Sequence, residues 1–139
     1  MASESEALQG SIVILEDSAP TRNILRVLLE KNKYKVLEFA NGKLALEHLE
    51  KHPNEDVKLI ISDVMMPEMD GFEFVKNLKE QGLYSQVPIV LATALSGKED
   101  VLAAKKLGVT GYIVKPISVK KVLDVLKRLF PDQVFKEIA

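Results

Sequence analysis

A chain of 139 residues that is 47% hydrophobic and 28% charged has the size and composition of one globular domain, which excludes collagen-like and largely disordered readings. A net charge of -1 supplies no global basic field, so neither direct nucleic-acid binding nor attraction to an anionic membrane is expected. The absence of cysteine removes disulfides, thiolate nucleophiles and sulfur metal ligands. With no apolar run long enough for a signal peptide or membrane span, a cytoplasmic protein is expected.

Residues 1–10 are small and polar and end in Gly10, which predicts a flexible leader ahead of a domain over 11–130. Ile12-Val13-Ile14-Leu15 is an unbroken apolar run too short for a helix, and it stops at Glu16-Asp17, the pattern of a strand buried on both faces. Ser18 then predicts a helix cap with Pro20 in the first turn, after which Ile24, Leu25, Leu28 and Leu29 recur at helical spacing. The same alternation predicts strands at Val36–Phe39, Leu59–Ile61, Ile89–Ala92 and Tyr112–Val114. Helices follow near 42–51, 71–81, 97–107 and 118–130, with Asn41, Asp70, Ser96 and Ser118 as caps, and Ser96 to Glu99 has capping-box spacing. In the last helix Val119, Val122, Leu123 and Leu126 read as core. His48 and His52 read as a solvent-facing pair rather than metal ligands, and Met65, Met66 and Met69 as packing at the rim or core. The tail, 131–139, either adds a helical turn that buries Val134, Phe135 and Ile138 or frays. It is too short for a helix-turn-helix output module.

Five strand-helix pairs with short connections predict an open parallel sheet covered by helices on both faces. Such sheets bind ligands beyond the carboxyl ends of their strands. Strand 1 ends in Glu16-Asp17, strand 3 in Asp63, strand 4 in Thr93 and strand 5 in Lys115-Pro116. Each close pair of carboxylates there repels by about 4 kcal/mol at ~4 Å and an effective dielectric near ~20, so something positive must offset the cluster. Mg2+ suits three acids, Lys115 suits a phosphoryl oxygen, and Thr93 can donate a hydrogen bond to another. Asp63, central among them, is the candidate nucleophile for forming an aspartyl phosphate. Taken singly, these residues are more often a solvated loop pair, a turn residue, a strand hydroxyl and a surface lysine. Their joint placement at successive strand ends selects the functional reading.

The segment Ser62-Asp63-Val64-Met65-Met66-Pro67-Glu68-Met69-Asp70-Gly71 resembles the phosphoacceptor loop of response-regulator receiver domains. The separations of Asp17, Asp63, Thr93 and Lys115 resemble that family's pattern over residues 11–130. The resemblance implies an α/β, flavodoxin-like, doubly wound five-stranded parallel sheet of order 2-1-3-4-5 with five helices. It implies a single-domain response regulator, a signalling phosphoacceptor rather than an enzyme, in which Asp63 takes a phosphoryl group from a histidine kinase or phosphotransfer protein. Mg2+ would be ligated by Asp17, Asp63 and the main-chain carbonyl of Met65, with Glu16 acting through water. Thr93 resembles the switch hydroxyl, Tyr112 the aromatic switch, and Lys115 the phosphate-pairing lysine, whose bond to Pro116 resembles the family's cis peptide.

Helix 4, strand 5 and helix 5 would present the face read by a downstream protein target. Lys98, Lys105, Lys106, Lys120 and Lys121 suggest an acidic partner there, or a solvated helix face. The expected state is a monomer or a weak phosphorylation-dependent dimer. Met65 and Leu95 are apolar where some family members carry groups that position the attacking water, which predicts slow self-dephosphorylation.

Three alternatives stand beside this reading. An aspartyl-nucleophile phosphohydrolase would want Asp-x-Asp where Glu16-Asp17-Ser18 stands. A flavin mononucleotide binder would want a phosphate cradle where Glu16 to Thr21 is acidic. A pseudo-receiver would use the same domain purely as an interaction module.

Overall fold

The computed structural model describes residues 8–135, so Ile138 and most of the leader lie outside the described residues. Strands and helices alternate: β1 (Ser11–Leu15), α1 (Ala19–Lys31), β2 (Lys35–Phe39), α2 (Gly42–Lys51), β3 (Val57–Ser62), α3 (Gly71–Gln81), β4 (Ile89–Thr93), α4 (Lys98–Lys106), β5 (Gly111–Val114) and α5 (Val119–Leu129). All the strand pairs are parallel and the order is β2-β1-β3-β4-β5, a doubly wound sheet that reverses its winding beside β1 and β3.

The alternation of side chains along a strand divides the core in two. From β1, Ile12 and Ile14 face α1 and α5 and pack with Leu25, Leu28, Leu29, Val122, Leu123 and Leu126. Val13 and Leu15 face the opposite layer and pack with Ala45, Leu49, Phe74, Val75, Leu78 and Ala104. Both faces of β1 are therefore covered, which is why its sequence is continuously apolar. Each such fully buried side chain contributes roughly 1.5–3 kcal/mol.

Four helices begin at the expected caps. Ser18, Asn41 and Ser118 accept the N–H of Thr21, Leu44 and Lys121 at 3.4, 3.0 and 3.1 Å. Asp70 and Glu73 form a reciprocal capping box at the start of α3. The Ser96 expectation fails: Gly97 is the N-cap of α4 and makes no side-chain cap bond. The helix starts one residue late for a Ser96 box, so Glu99 falls at its second position, where with Asp100 it complements the helix dipole.

One further expectation, for His48, is corrected, and the structure adds detail to two readings the sequence left open. Ile24 is exposed, because the buried stripe of α1 runs through Leu25, Leu28 and Leu29 and a one-residue step turns Ile24 about 100° away from it. His48 is half-buried rather than solvent-facing: its ring tilts against Phe39 at 5.3 Å and stacks on exposed His52 at 4.2 Å, with Nε2 3.6 Å from Glu55 Oε1. The described part of the tail adds no helical turn and leaves Val134 exposed, while Phe135 packs against the α1/α5 core. The buried Tyr34 hydroxyl also holds the tail, donating to Gln133 Oε1 at 2.5 Å.

Candidate functional site

The carboxyl ends of β1, β3, β4 and β5 meet at one edge. Asp63 follows β3, and its N–H donates to the Leu15 carbonyl at 2.8 Å, which fixes it beside the end of β1. Its Oδ1 accepts the N–H groups of Val64 at 2.6 Å and Met65 at 3.3 Å. The loop that presents it is closed by the Gly71 N–H, which donates to the Val64 carbonyl at 2.8 Å. Only glycine fits there, since a Cβ at position 71 would stand 2.2 Å from the Asp63 carbonyl oxygen.

Lys115 directly follows β5 and precedes a cis peptide bond to Pro116, and its N–H donates to the Thr93 carbonyl at 2.8 Å. Its ammonium lies between two carboxylates, 2.6 Å from Glu16 Oε1 and 2.7 Å from Asp63 Oδ2. The other oxygen of Glu16 accepts the Ser18 N–H at 3.0 Å. Glu16 and Asp63 are buried and Asp17 is exposed, yet one ligand atom from each of the three lies within 4.8 Å of the others. Three hard carboxylates offset by a single ammonium leave an excess of negative charge, and this donor set fits a hard divalent cation. Both oxygens of Glu16 are already engaged, whereas Asp17 has no hydrogen bond or ion pair among the described residues.

The charges perturb one another. Burial pushes the Glu16 carboxyl above its ordinary range, the bonds to Lys115 and Ser18 pull it back, and the charge on Asp63 adds to the rise. Burial by itself would lower Lys115, but its hydrogen bonds to Asp63 and Glu16 outweigh that and hold it above the ordinary value of 10.5. The stabilisation from Lys115 is therefore fully present below that ordinary value and is lost as pH rises through the raised one.

Thr93 ends β4, beside β3, and Tyr112 lies on β5. Thr93 is buried, and its Oγ1 accepts the Leu95 N–H at 3.3 Å rather than bonding to Asp63. The Tyr112 hydroxyl donates to the carbonyl of the same Leu95 at 2.8 Å. Met66 and Met69 pack against the core as expected, whereas the Met65 side chain is 63% exposed. It stands at the rim of an open cleft of about 670 Å³ lined by Asp17, Met65, Pro67, Phe72 and Leu95 among others. The structure thus brings Glu16, Asp17, Asp63 and Lys115 together, with Thr93 and Tyr112 linked through Leu95. Sequence reasoning missed Arg22, whose Nη1 donates to the Glu16 carbonyl at 2.6 Å. A contact to main chain leaves no signature in the residue type it contacts.

A family model described as response regulator receiver domain matches residues 12–127, and the chain belongs to that family. The family places it in two-component signalling. The chain is 40% identical over 108 residues to a chemotaxis protein CheY homolog of Campylobacter jejuni, covering 77% of this chain and 82% of that one. Among solved structures it is similar to the chemotaxis protein CheY4 of Vibrio cholerae, with a TM-score of 0.79 and 34% identity over 89% of this chain and all of that one. It is equally similar in sequence, at 34% identity, to the signal receiver domain of a histidine kinase from Syntrophus aciditrophicus, with a TM-score of 0.76 over 94% of this chain and 97% of that one.

Proposed function

We propose that the domain accepts a phosphoryl group on Asp63 from a histidine kinase or phosphotransfer protein in the cytoplasm and signals through a change in its protein-binding face. The observation that carries this reading is the Lys115 ammonium held between Glu16 and Asp63, with exposed Asp17 beside them. An Asp63 carboxylate oxygen forms the new bond to phosphorus as the bond from phosphorus to the donor's imidazole nitrogen breaks, and the histidine leaves as the neutral ring after taking up a proton. Asp17, Asp63 and the Met65 carbonyl would hold Mg2+, with Glu16 behind a water, and the ion would neutralise phosphoryl charge. Lys115, already at the Asp63 carboxylate, pairs with a phosphoryl oxygen.

The switch follows from the bonds to Leu95. When Thr93 Oγ1 turns to donate to a phosphoryl oxygen, it gives up the Leu95 N–H, and Leu95 is also what Tyr112 holds. Tyr112 lines two shallow clefts on either side of β5, one of about 150 Å³ with Lys105 and one of about 290 Å³ with Lys121 and Asp124. On this face Lys121 is committed to the Val114 and Pro116 carbonyls and Lys120 to Asp124, so the exposed Lys98, Lys105 and Lys106 of α4 are the cations that favour an acidic target. The protein works as a monomer or a weak phosphorylation-dependent dimer. A phosphohydrolase fits less well, because Ser18 stands where the second acid of its motif belongs and caps α1.

The reading is tested by phosphate release from protein loaded with acetyl phosphate and Mg2+. Exposed Met65 and half-buried Leu95 offer no polar group to orient water, so release takes minutes or longer, and Met65→Asn/Leu95→Glu accelerates it about tenfold or more. A half-life of seconds, unchanged in the double variant, contradicts the role given to these side chains. Failure to load at all counts against the acceptor.

A further inference from the structure

Glu16 is tied to the fold through every polar group it has. Its N–H donates to the Phe39 carbonyl on β2 at 2.9 Å, its carboxylate is shared between Lys115 and the Ser18 N–H, and its carbonyl accepts from Arg22 Nη1 at 2.6 Å. Arg22 lies near the start of α1, and its Nε is 3.6 Å from Glu38 Oε1 on β2. Arg26, one turn later, faces the second oxygen of Glu38 at 4.0 Å. Glu38 thus anchors the guanidinium that reaches the acidic loop.

The Glu16 carbonyl and the Asp17 N–H belong to one planar peptide unit. Fixing that carbonyl fixes the direction in which Asp17 leaves the chain. The Asp17 carboxylate is exposed and makes no hydrogen bond or ion pair of its own among the described residues, so its placement depends on the main chain that carries it. A short bond from a charged donor is the strongest restraint on that peptide.

We propose that Arg22 is a positioning residue for the cation site: by clamping the Glu16 carbonyl, with Glu38 orienting its guanidinium, it holds Asp17 where its carboxylate closes on a divalent cation shared with Asp63. This inference rests on the reading of the acidic cluster as a Mg2+ site. It also has a sign that a bare electrostatic role lacks. As a nearby positive charge, Arg22 repels the ion, and removing it would tighten binding; as a clamp it orders a ligand, and removing it weakens binding.

The test is a Mg2+ titration of the full chain followed by backbone amide NMR shifts, with parent, Arg22→Ala and Arg22→Lys, and melting temperatures measured without metal. Arg22→Ala is expected to raise the Mg2+ dissociation constant about tenfold, the scale of a lost second layer of support around a ligand. Arg22→Lys, which keeps both the charge and a donor, recovers most of that loss. An unchanged or tighter constant in Arg22→Ala overturns the inference while leaving the site intact. An equal loss in both variants, matched by an equal fall in melting temperature, overturns it in favour of general loosening. A parent chain that does not respond to Mg2+ overturns the reading of the cluster and the inference with it.

Discussion

Replacing Lys115 with alanine is expected to lower the stability of the metal-free protein by roughly 3 kcal/mol, because it removes one partner from a largely buried set of charges and leaves the others facing each other. Glu16 and Asp63 have side chains only 3% and 7% exposed, so water cannot take over from the ammonium. The loss is expected to depend on pH. Without Lys115 the largest influence on Glu16 is burial, aided by repulsion from Asp63, and both raise its carboxyl further. A carboxyl raised in the folded state binds its proton more tightly there, so the variant regains stability as pH falls through that raised value and is weakest above it. Mg2+ replaces part of the missing charge and raises the melting temperature of the variant more than that of the parent. Thermal melts at pH 5.5 and 8, with and without Mg2+, check all three statements. A variant that melts with the parent at pH 8 would show that the ammonium carries little of the site.

Gly71→Ala is expected to be the most damaging small change in the Asp63 loop, at about 3 kcal/mol or more. The added methyl would meet the Asp63 carbonyl oxygen at 2.2 Å and the Val64 Cα at 2.9 Å, both main-chain atoms with no rotamer to move. Relief requires the loop to open, which breaks the Gly71 bond to Val64 and displaces Asp63 from Lys115. Gly82→Ala is the control. Its added methyl meets nothing within 4 Å, so only the left-handed backbone at the end of α3, φ 67, resists it. That costs about 1 kcal/mol. Denaturant melts of the two variants should differ by about 2 kcal/mol, and equal losses would mean that the loop yields more easily than its packing implies.

The parts of this protein that were legible in its sequence are those where one physical rule acts on a short segment. The buried run Ile12–Leu15, the caps at Ser18, Asn41, Asp70 and Ser118, and the acids ending β1 and β3 all report local chemistry. They led to the parallel sheet and to the edge where Glu16, Asp17, Asp63 and Lys115 meet. What stayed hidden depends on where a helix starts, on how it lies on the sheet, or on a partner far along the chain. Ser96 and Glu99 have capping-box spacing, but the start of α4 slips to Gly97 and breaks it. Ile24 has helical periodicity, and only the angle at which α1 lies on the sheet turns it outward. His48 is covered by Phe39 from another strand. The tail is held by the hydroxyl of Tyr34, 99 residues before Gln133, and by Phe135 against the α1/α5 core, while Val134 stays exposed.

The proposal that Asp63 is the acceptor is tested most directly by intact mass after incubation with acetyl phosphate and Mg2+, for the parent chain and for Asp63→Asn. The account predicts a gain of one phosphoryl mass in the parent, lost on chelation of the metal and absent in the variant. The same gain in Asp63→Asn, or a gain in the parent that survives removal of the metal, would contradict it.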